Sequence, residues 1–324
     1  KIGKLLLILK LNNTILYYKR SFFQDGKKIV HQIINALIVN PMKKILVATD
    51  FSVAAQNALK YAVEFANAVQ AKIVLYHVFA PPMVPVTEVA WAVLPGASEI
   101  KDENKLLLKK ELKTFGSNLI FPAEYFTEEG EVVNKIIEFA QKEKASMIIM
   151  GMKQVGVLRE YLIGSVATSV VKRSSVPVLL IPGSHLYNRI EKVVFACDYD
   201  INDTRILIPL KRLINIFEAQ LMVVNITEKL ETVEVSRERT GSKLEGFLKN
   251  TVRSFHFLQD DNIVHGLNKF IHDNGADIVA TVTHKHNLIE NLFRENHTKK
   301  IAFHIPVPIF ALPDNHKELS AYFV

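Results

Sequence analysis

Cysteine is nearly absent: Cys197 stands alone in 324 residues. A single thiol excludes an intramolecular disulfide framework and any zinc or iron–sulfur site built from several cysteines. No stretch approaches 18 consecutive apolar residues, so no membrane-crossing helix is expected. The Gly-x-Gly-x-x-Gly fingerprint of dinucleotide enzymes is missing, as is the Gly-x4-Gly-Lys-Ser/Thr loop of P-loop nucleotide hydrolases. No serine, histidine and aspartate stand at a recognisable catalytic spacing. What is present is ordinary globular material, 49% hydrophobic and 23% charged, too apolar for disorder. At about 150 residues per domain, the length suggests two domains, each with apolar material for a full core.

The net charge is 40 − 33 = +7, which at face value points to an anionic partner such as nucleic acid or a membrane surface. Its distribution removes that argument. Residues 1–41 carry seven lysines and arginines against Asp25, a balance of 7 − 1 = +6, while everything from Met42 onward carries 33 − 32 = +1. A signal peptide does not fit the leader well, because Lys10 interrupts its short apolar core and no Ala-x-Ala site follows. A basic binding arm is a second reading. The favoured expectation is a basic leader, 1–41, lying outside the fold, since Met42-Lys-Lys reads as a natural chain beginning. Neither nucleic acid nor membrane is then expected as a partner.

From Met42 the pattern is regular. Lys44–Asp50 is a short apolar run ending in an acid, which suits a buried parallel strand. Ser52 is placed to cap a helix running through Ala68. Lys72–Val78 is a second strand, and residues 80–97, with four prolines and Trp91, read as a loop. The spacing then predicts a helix over 100–115, a weaker strand over 119–126, an amphipathic helix over 131–143, a buried strand over 146–151, a helix over 158–173 and a last strand over 177–181.

The same order recurs. Lys192–Asp198 matches Lys44–Asp50 at an offset of 148, while Ala276–Ala280 and Pro306–Pro313 match Ala145–Ile149 and Ser175–Pro182 at 131. Helices are expected at 203–217, 232–249 and 261–274, with strands at 220–226 and 255–258. Matching blocks at both ends indicate an internal repeat, and the difference, 148 − 131 = 17, places a net deletion in the middle of the second copy. The expected fold is α/β: two tandem, doubly wound, Rossmann-like domains, each with a five-stranded parallel sheet. The boundaries are 42–184 and 190–315, with a tail at 316–324.

In such sheets ligands bind at the carboxyl ends of the strands. Asp50, Val78 and Gly151 fall there, and Gly151 opens a loop reaching Gly164-Ser165. A Gly-Ser pair at a helix N-terminus would offer a hydroxyl and the positive end of the dipole to phosphate. Met42–Ser52, the Met150-Gly151 turn, Gly164-Ser165 and the terminal Val-Pro-Val strand together resemble the universal stress protein family, across residues 42–315. The resemblance implies a stress-response protein, cytoplasmic, that binds an adenine nucleotide such as ATP or AMP as a sensor or regulatory module, with Mg2+ as an accompanying ion. It also implies dimerisation through the last strand, met here by pairing of the two copies as a pseudo-dimer, with a homodimer and a regulatory protein as further partners. The family's ATP-binding signature is Gly-x2-Gly-x9-Gly-Ser/Thr. Here it reads Gly151-Met-Lys-Gln154, nine residues, then Gly164-Ser165, so glutamine replaces the second glycine and Gly156 is near enough to compensate. Carried over, Asp50 contacts ribose or base, Val78 the adenine through its backbone and Gly164-Ser165 the phosphates, with Gly151, Gln154 and Val166 as further nucleotide-binding positions.

The second copy has Val282, Lys285, Glu295 and Asn296 at the signature positions and is not expected to bind ATP, although Asp198 survives. His284, His286 and His297 read as solvated loop residues rather than metal ligands, and Cys197 as a buried thiol. No catalytic residue is assigned. The alternatives are a nucleotide-free interaction module, favoured by Gln154, and a slow ATP hydrolase, for which no general base stands out.

Overall fold

The computed structural model describes residues 7–11, 14–18, 42, 44–80, 96–155, 160–183, 185–197, 203–227, 243–248, 251, 253–283 and 305–314. The chain divides into two units, Lys1–Asn40 and Pro41–Val324. In the first, strands β1 (Leu7–Leu11) and β2 (Thr14–Tyr18) form an antiparallel hairpin, an element the sequence did not announce. Among the described residues no helix is long and apolar enough to cross a membrane.

The second unit opens with β3 (Lys44–Ala48), whose last four residues are all buried, as a central parallel strand requires. Helix α1 (Val53–Val69) begins where Ser52 Oγ accepts from the Ala55 N–H at 3.2 Å and ends at Gln70 in the left-handed conformation. Strand β4 (Lys72–Phe79), helix α2 (Ala97–Phe115), strand β5 (Glu124–Glu129), helix α3 (Val132–Lys142) and strand β6 (Met147–Val155) follow. Next come β7 (Glu160–Leu162), α4 (Ser165–Arg173) and β8 (Val178–Pro182). The second half repeats the plan with β9 (Lys192–Ala196), a short 3-10 turn at Thr204–Leu207, α5 (Ile208–Phe217), β10 (Gln220–Thr227), α6 (Lys243–Phe247), β11 (Arg253–Gln259), α7 (Ile263–Asn274), β12 (Ile278–Val282) and β13 (Ile309–Leu312).

The fold is α/β with a mostly parallel sheet. Its strand order is β11-β10-β9-β12-β13-β8-β6-β3-β4-β5. Numbered within each half, both read 3-2-1-4-5, the doubly wound pattern. All pairings within a half are parallel, save that of β7 with β6. The halves meet through their fifth strands, which run antiparallel with Phe310 opposite Leu179. One sheet therefore spans both halves, and two apolar layers cover it. Ile45, Val47, Phe65 and Leu75 belong to the layer under α1, and Leu46, Tyr76, Phe139 and Val170 to the layer under α3 and α4.

Two expectations shift. The weak strand predicted over 119–126 forms at Glu124–Glu129. Pro122 has no N–H for a ladder, and Ile120 and Phe121 remain exposed. The helix predicted over 158–173 begins only at Ser165. Strand β6 overruns Gly151 by four residues and turns back as β7, so 160–162 pair with 153–155 instead of coiling. Within 232–249, the described helix is Lys243–Phe247. The proline loop with Trp91, Gly156, Asp198, the three histidines His284, His286 and His297, Lys285, Glu295, Asn296 and the tail from 316 lie outside the described residues.

Candidate functional site

At the carboxyl ends of β3, β4 and β6 lies a cleft of about 390 Å3. Asp50, Val78, Gly151, Gly164, Ser165 and Val166, all named from the sequence, line it. Gln154 stands in β6 opposite Tyr161, in the antiparallel ladder that the overrun creates. Thus the second signature position is laddered strand rather than open glycine loop. The sequence missed Lys153, Thr49, Tyr76, Val132 and Ile136, which also line the cleft. Lys153 had a signal, since it sits between two signature positions.

The corner after β3 is tightly held. Asp50 Oδ1 accepts from the Ser52 N–H at 3.0 Å, an Asx turn that leads into α1. Phe51 between them has φ 63°, an uncommon and strained value for a bulky side chain. Thr49 secures the approach from three sides. Its hydroxyl donates to Glu111 Oε2 at 3.2 Å and accepts from the Phe51 N–H at 3.0 Å, while its carbonyl accepts from His77 Nδ1 at 2.8 Å. The His77 ring packs on Phe51 at 4.4 Å. Glu111 and Asn104, buried on α2, each leave a polar atom without a hydrogen bond. Burial pushes the Glu111 carboxyl above the usual glutamate range, an effect that hydrogen bonds from Thr49 and Gln56 reduce and that Asp50 adds to. Burial lowers the His77 imidazole, against the hydrogen bond to Thr49.

The adenine side of the cleft is decided by strand lengths. Thr49 N–H donates to the Tyr76 carbonyl at 2.9 Å, and Gly130 N–H to that of Phe79 at 3.0 Å. Successive residues turn their backbone groups to opposite neighbours. The amide and carbonyl of Val78 therefore face the side on which β3 has already ended. Tyr76 walls the cleft below, 1% exposed and stacked on Phe139 at 4.1 Å and 8°.

The phosphate side is decided by glycines and helix ends. A β-carbon on Gly151 would collide with the first turn of α1, whereas one on Gly164 would meet nothing within 4 Å among the described residues. Gly164 is the N-cap of α4, with no side-chain cap and no acid in the first turn. By contrast, Glu131 caps α3 with bonds to Val133 and Asn134, and Ser52 caps α1. The open end of α4 carries unpaired amides and the positive end of a helix dipole toward the cleft.

The model of the universal stress protein family matches residues 41–182. A universal stress protein of Methanocaldococcus jannaschii is 34% identical over 158 residues, covering 47% of this chain and 90% of the relative. A second from the same organism is 31% identical over 156 residues, covering 43% and 94%. Over both halves, the fold is similar to the crystal structure of a universal stress protein from Archaeoglobus fulgidus, with a TM-score of 0.63 at 17% identity, covering 85% of this chain and 99% of that one.

Proposed function

Because this chain belongs to the universal stress protein family, we propose that its first half binds an adenine nucleotide in the cleft and acts as a sensor or regulatory module in a cytoplasmic stress response. The observation that carries the reading is Gly164. Its φ of −62° needs no glycine, and no atom of the described residues fills the space a β-carbon would take. Space kept clear at an uncapped helix N-terminus, inside a cleft, suits phosphate oxygens approaching the backbone. The adenine edge would bond to Val78's unladdered backbone, as a flat heterocycle entering above Tyr76. Asp50, fixed by the Ser52 amide, would meet the ribose hydroxyls.

Mg2+ would enter with the phosphates rather than occupy a protein cage. Among the described residues no group of three or more histidines, cysteines or acids is assembled to hold a metal ion. Asp50 is the carboxylate in the lining. The second half, 190–315, would serve as a pseudo-dimer partner for 42–184. The support is the antiparallel β13–β8 contact, which occupies the fifth strand of both halves. A regulatory protein partner would then read the nucleotide state.

One observation favours a nucleotide-free interaction module instead: Gln154 lies in a strand ladder where the signature has glycine. Native mass spectrometry of the purified full chain, with calorimetric titration of ATP, ADP, AMP and adenosine, separates the two. Co-purified nucleotide or saturable binding is expected. An apo protein whose melting temperature is unmoved by millimolar ATP would establish the interaction module. Steady phosphate release, abolished by Asp50→Asn, would identify a hydrolase.

A further inference from the structure

Asp50 and Lys153 are the charged residues lining the cleft among those described. Lys153 is exposed, on the length of β6 that overruns Gly151. Among the described residues it makes no hydrogen bond or ion pair, whereas Lys44, Lys72, Lys105 and Lys135 each hold a carboxylate. Its place in the chain follows from the hairpin. By pairing Lys153 with Leu162 two residues before Gly164, the β6–β7 ladder brings the lysine and the α4 N-terminus into the lining of one cleft.

Resting on the nucleotide reading above, we infer that Lys153 is a specificity-determining residue that selects the polyphosphate of the ligand. In this chain the ammonium replaces what an open glycine loop at position 154 would supply through backbone amides. The two devices differ chemically. A glycine loop offers several weak dipolar donors and requires close backbone approach. A lysine is a mobile point charge that reaches its anion across a laddered strand. Position 154 can therefore carry a side chain without loss of the phosphate contact. The helix N-terminus gives partial positive charge to any phosphate, but only a second centre of charge rewards additional ones. The cleft should thus favour di- and triphosphates over a monophosphate, and a monophosphate over the nucleoside. Two positive features at the ends of separate elements also make the affinity sensitive to salt.

The test is calorimetric titration of the full chain with ATP, AMP and adenosine, for wild type, Lys153→Gln and Lys153→Arg, at low and high ionic strength. Because the side chain is exposed, the variants should melt with the wild type. The expected result is that Lys153→Gln weakens ATP about tenfold, a size appropriate to one charge-assisted contact. Adenosine should stay within twofold, the salt dependence of ATP binding should flatten, and Lys153→Arg should restore most of the loss. Equal weakening of ATP and adenosine, or no change in either, overturns the assignment while leaving nucleotide binding in place. Failure of wild type to bind any of the three overturns the nucleotide reading and this inference with it.

Discussion

A β-carbon built on Gly151 would stand 2.3 Å from the carbonyl oxygen of Ala54. The first turn of α1 rests directly on β6, and only glycine permits the approach. The neighbouring signature glycine, Gly164, has no such contact. Two glycines that look equivalent in one motif thus answer to different demands, one to helix–strand packing and one to open space.

The two should part under the same substitution. Gly151→Ala forces backbone apart and should cost about 2–3 kcal/mol or more, as overpacking of a rigid contact does. Gly164→Ala should cost less than about 1 kcal/mol, the difference between glycine and alanine at an N-cap, yet weaken nucleotide binding. Urea denaturation and calorimetric titration of both variants check this. A severely destabilised Gly164→Ala would show that the position serves the fold after all.

Stability should carry the signature of the Thr49–Glu111 pair. The Glu111 pKa is raised in the folded state, so the folded chain holds that proton more tightly than the unfolded one. Its contribution is fully present below the ordinary glutamate range and is lost as pH rises through the folded value. Glu111→Gln keeps an acceptor for the Thr49 hydroxyl without the charge. It should match wild type near pH 4 and melt higher than wild type at pH 7. His77, His185 and His256, all lowered chiefly by burial, act in the opposite direction. Their contribution is present above the ordinary histidine range and is lost as pH falls through the lowered folded values, so His77→Asn should blunt the acid-side decline. Melting curves between pH 4 and 8 decide both.

Gln70 and Glu218 end α1 and α5 in the left-handed conformation, at φ of 56° and 53°. They are related by 218 − 70 = 148, the repeat offset at the start of each half. A left-handed residue with a β-carbon is strained, and glycine is the usual occupant there. Gln70→Gly and Glu218→Gly should each stabilise by about 0.5–1 kcal/mol. The two helices touch, Phe65 against Phe217 at 5.8 Å, so the double variant measures whether the two gains add or couple. Denaturation midpoints of the single and double variants measure it.

Phe310, fully buried in β13 opposite Leu179, ties the halves together. Phe310→Ala should cost about 3–5 kcal/mol. It should also loosen amide protection in β8, which belongs to the other half. Hydrogen exchange that remains at the wild-type level in β8 would show that the halves open independently.

Much of this was legible in the sequence. The strands β3, β4, β8 and β9 announce themselves because a parallel strand covered on both faces must be apolar throughout. The repeat of Lys44–Asp50 at Lys192–Asp198 likewise required no structure to see. Asp50, Val78, Gly151 and Gly164, named from the sequence, line one cleft, because a doubly wound sheet places its strand ends and helix starts on one rim.

The rest depended on which distant residues meet. Thr49 and Glu111 lie 62 positions apart, and nothing local to either marks the pair. The β6–β7 ladder was hidden because residues 158–163 carry no cap or turn signal that separates a short antiparallel strand from the first turns of a helix. Lys153 could be read as one more surface lysine until that ladder brought it into the same cleft as the α4 N-terminus. Local composition determines the long buried strands and amphipathic helices, since these depend on burial along their own length, whereas a short strand such as β7 depends on the partner it meets. Where a segment's charges act is decided by tertiary structure, because electrostatic and steric contacts depend on distance in space and not along the chain.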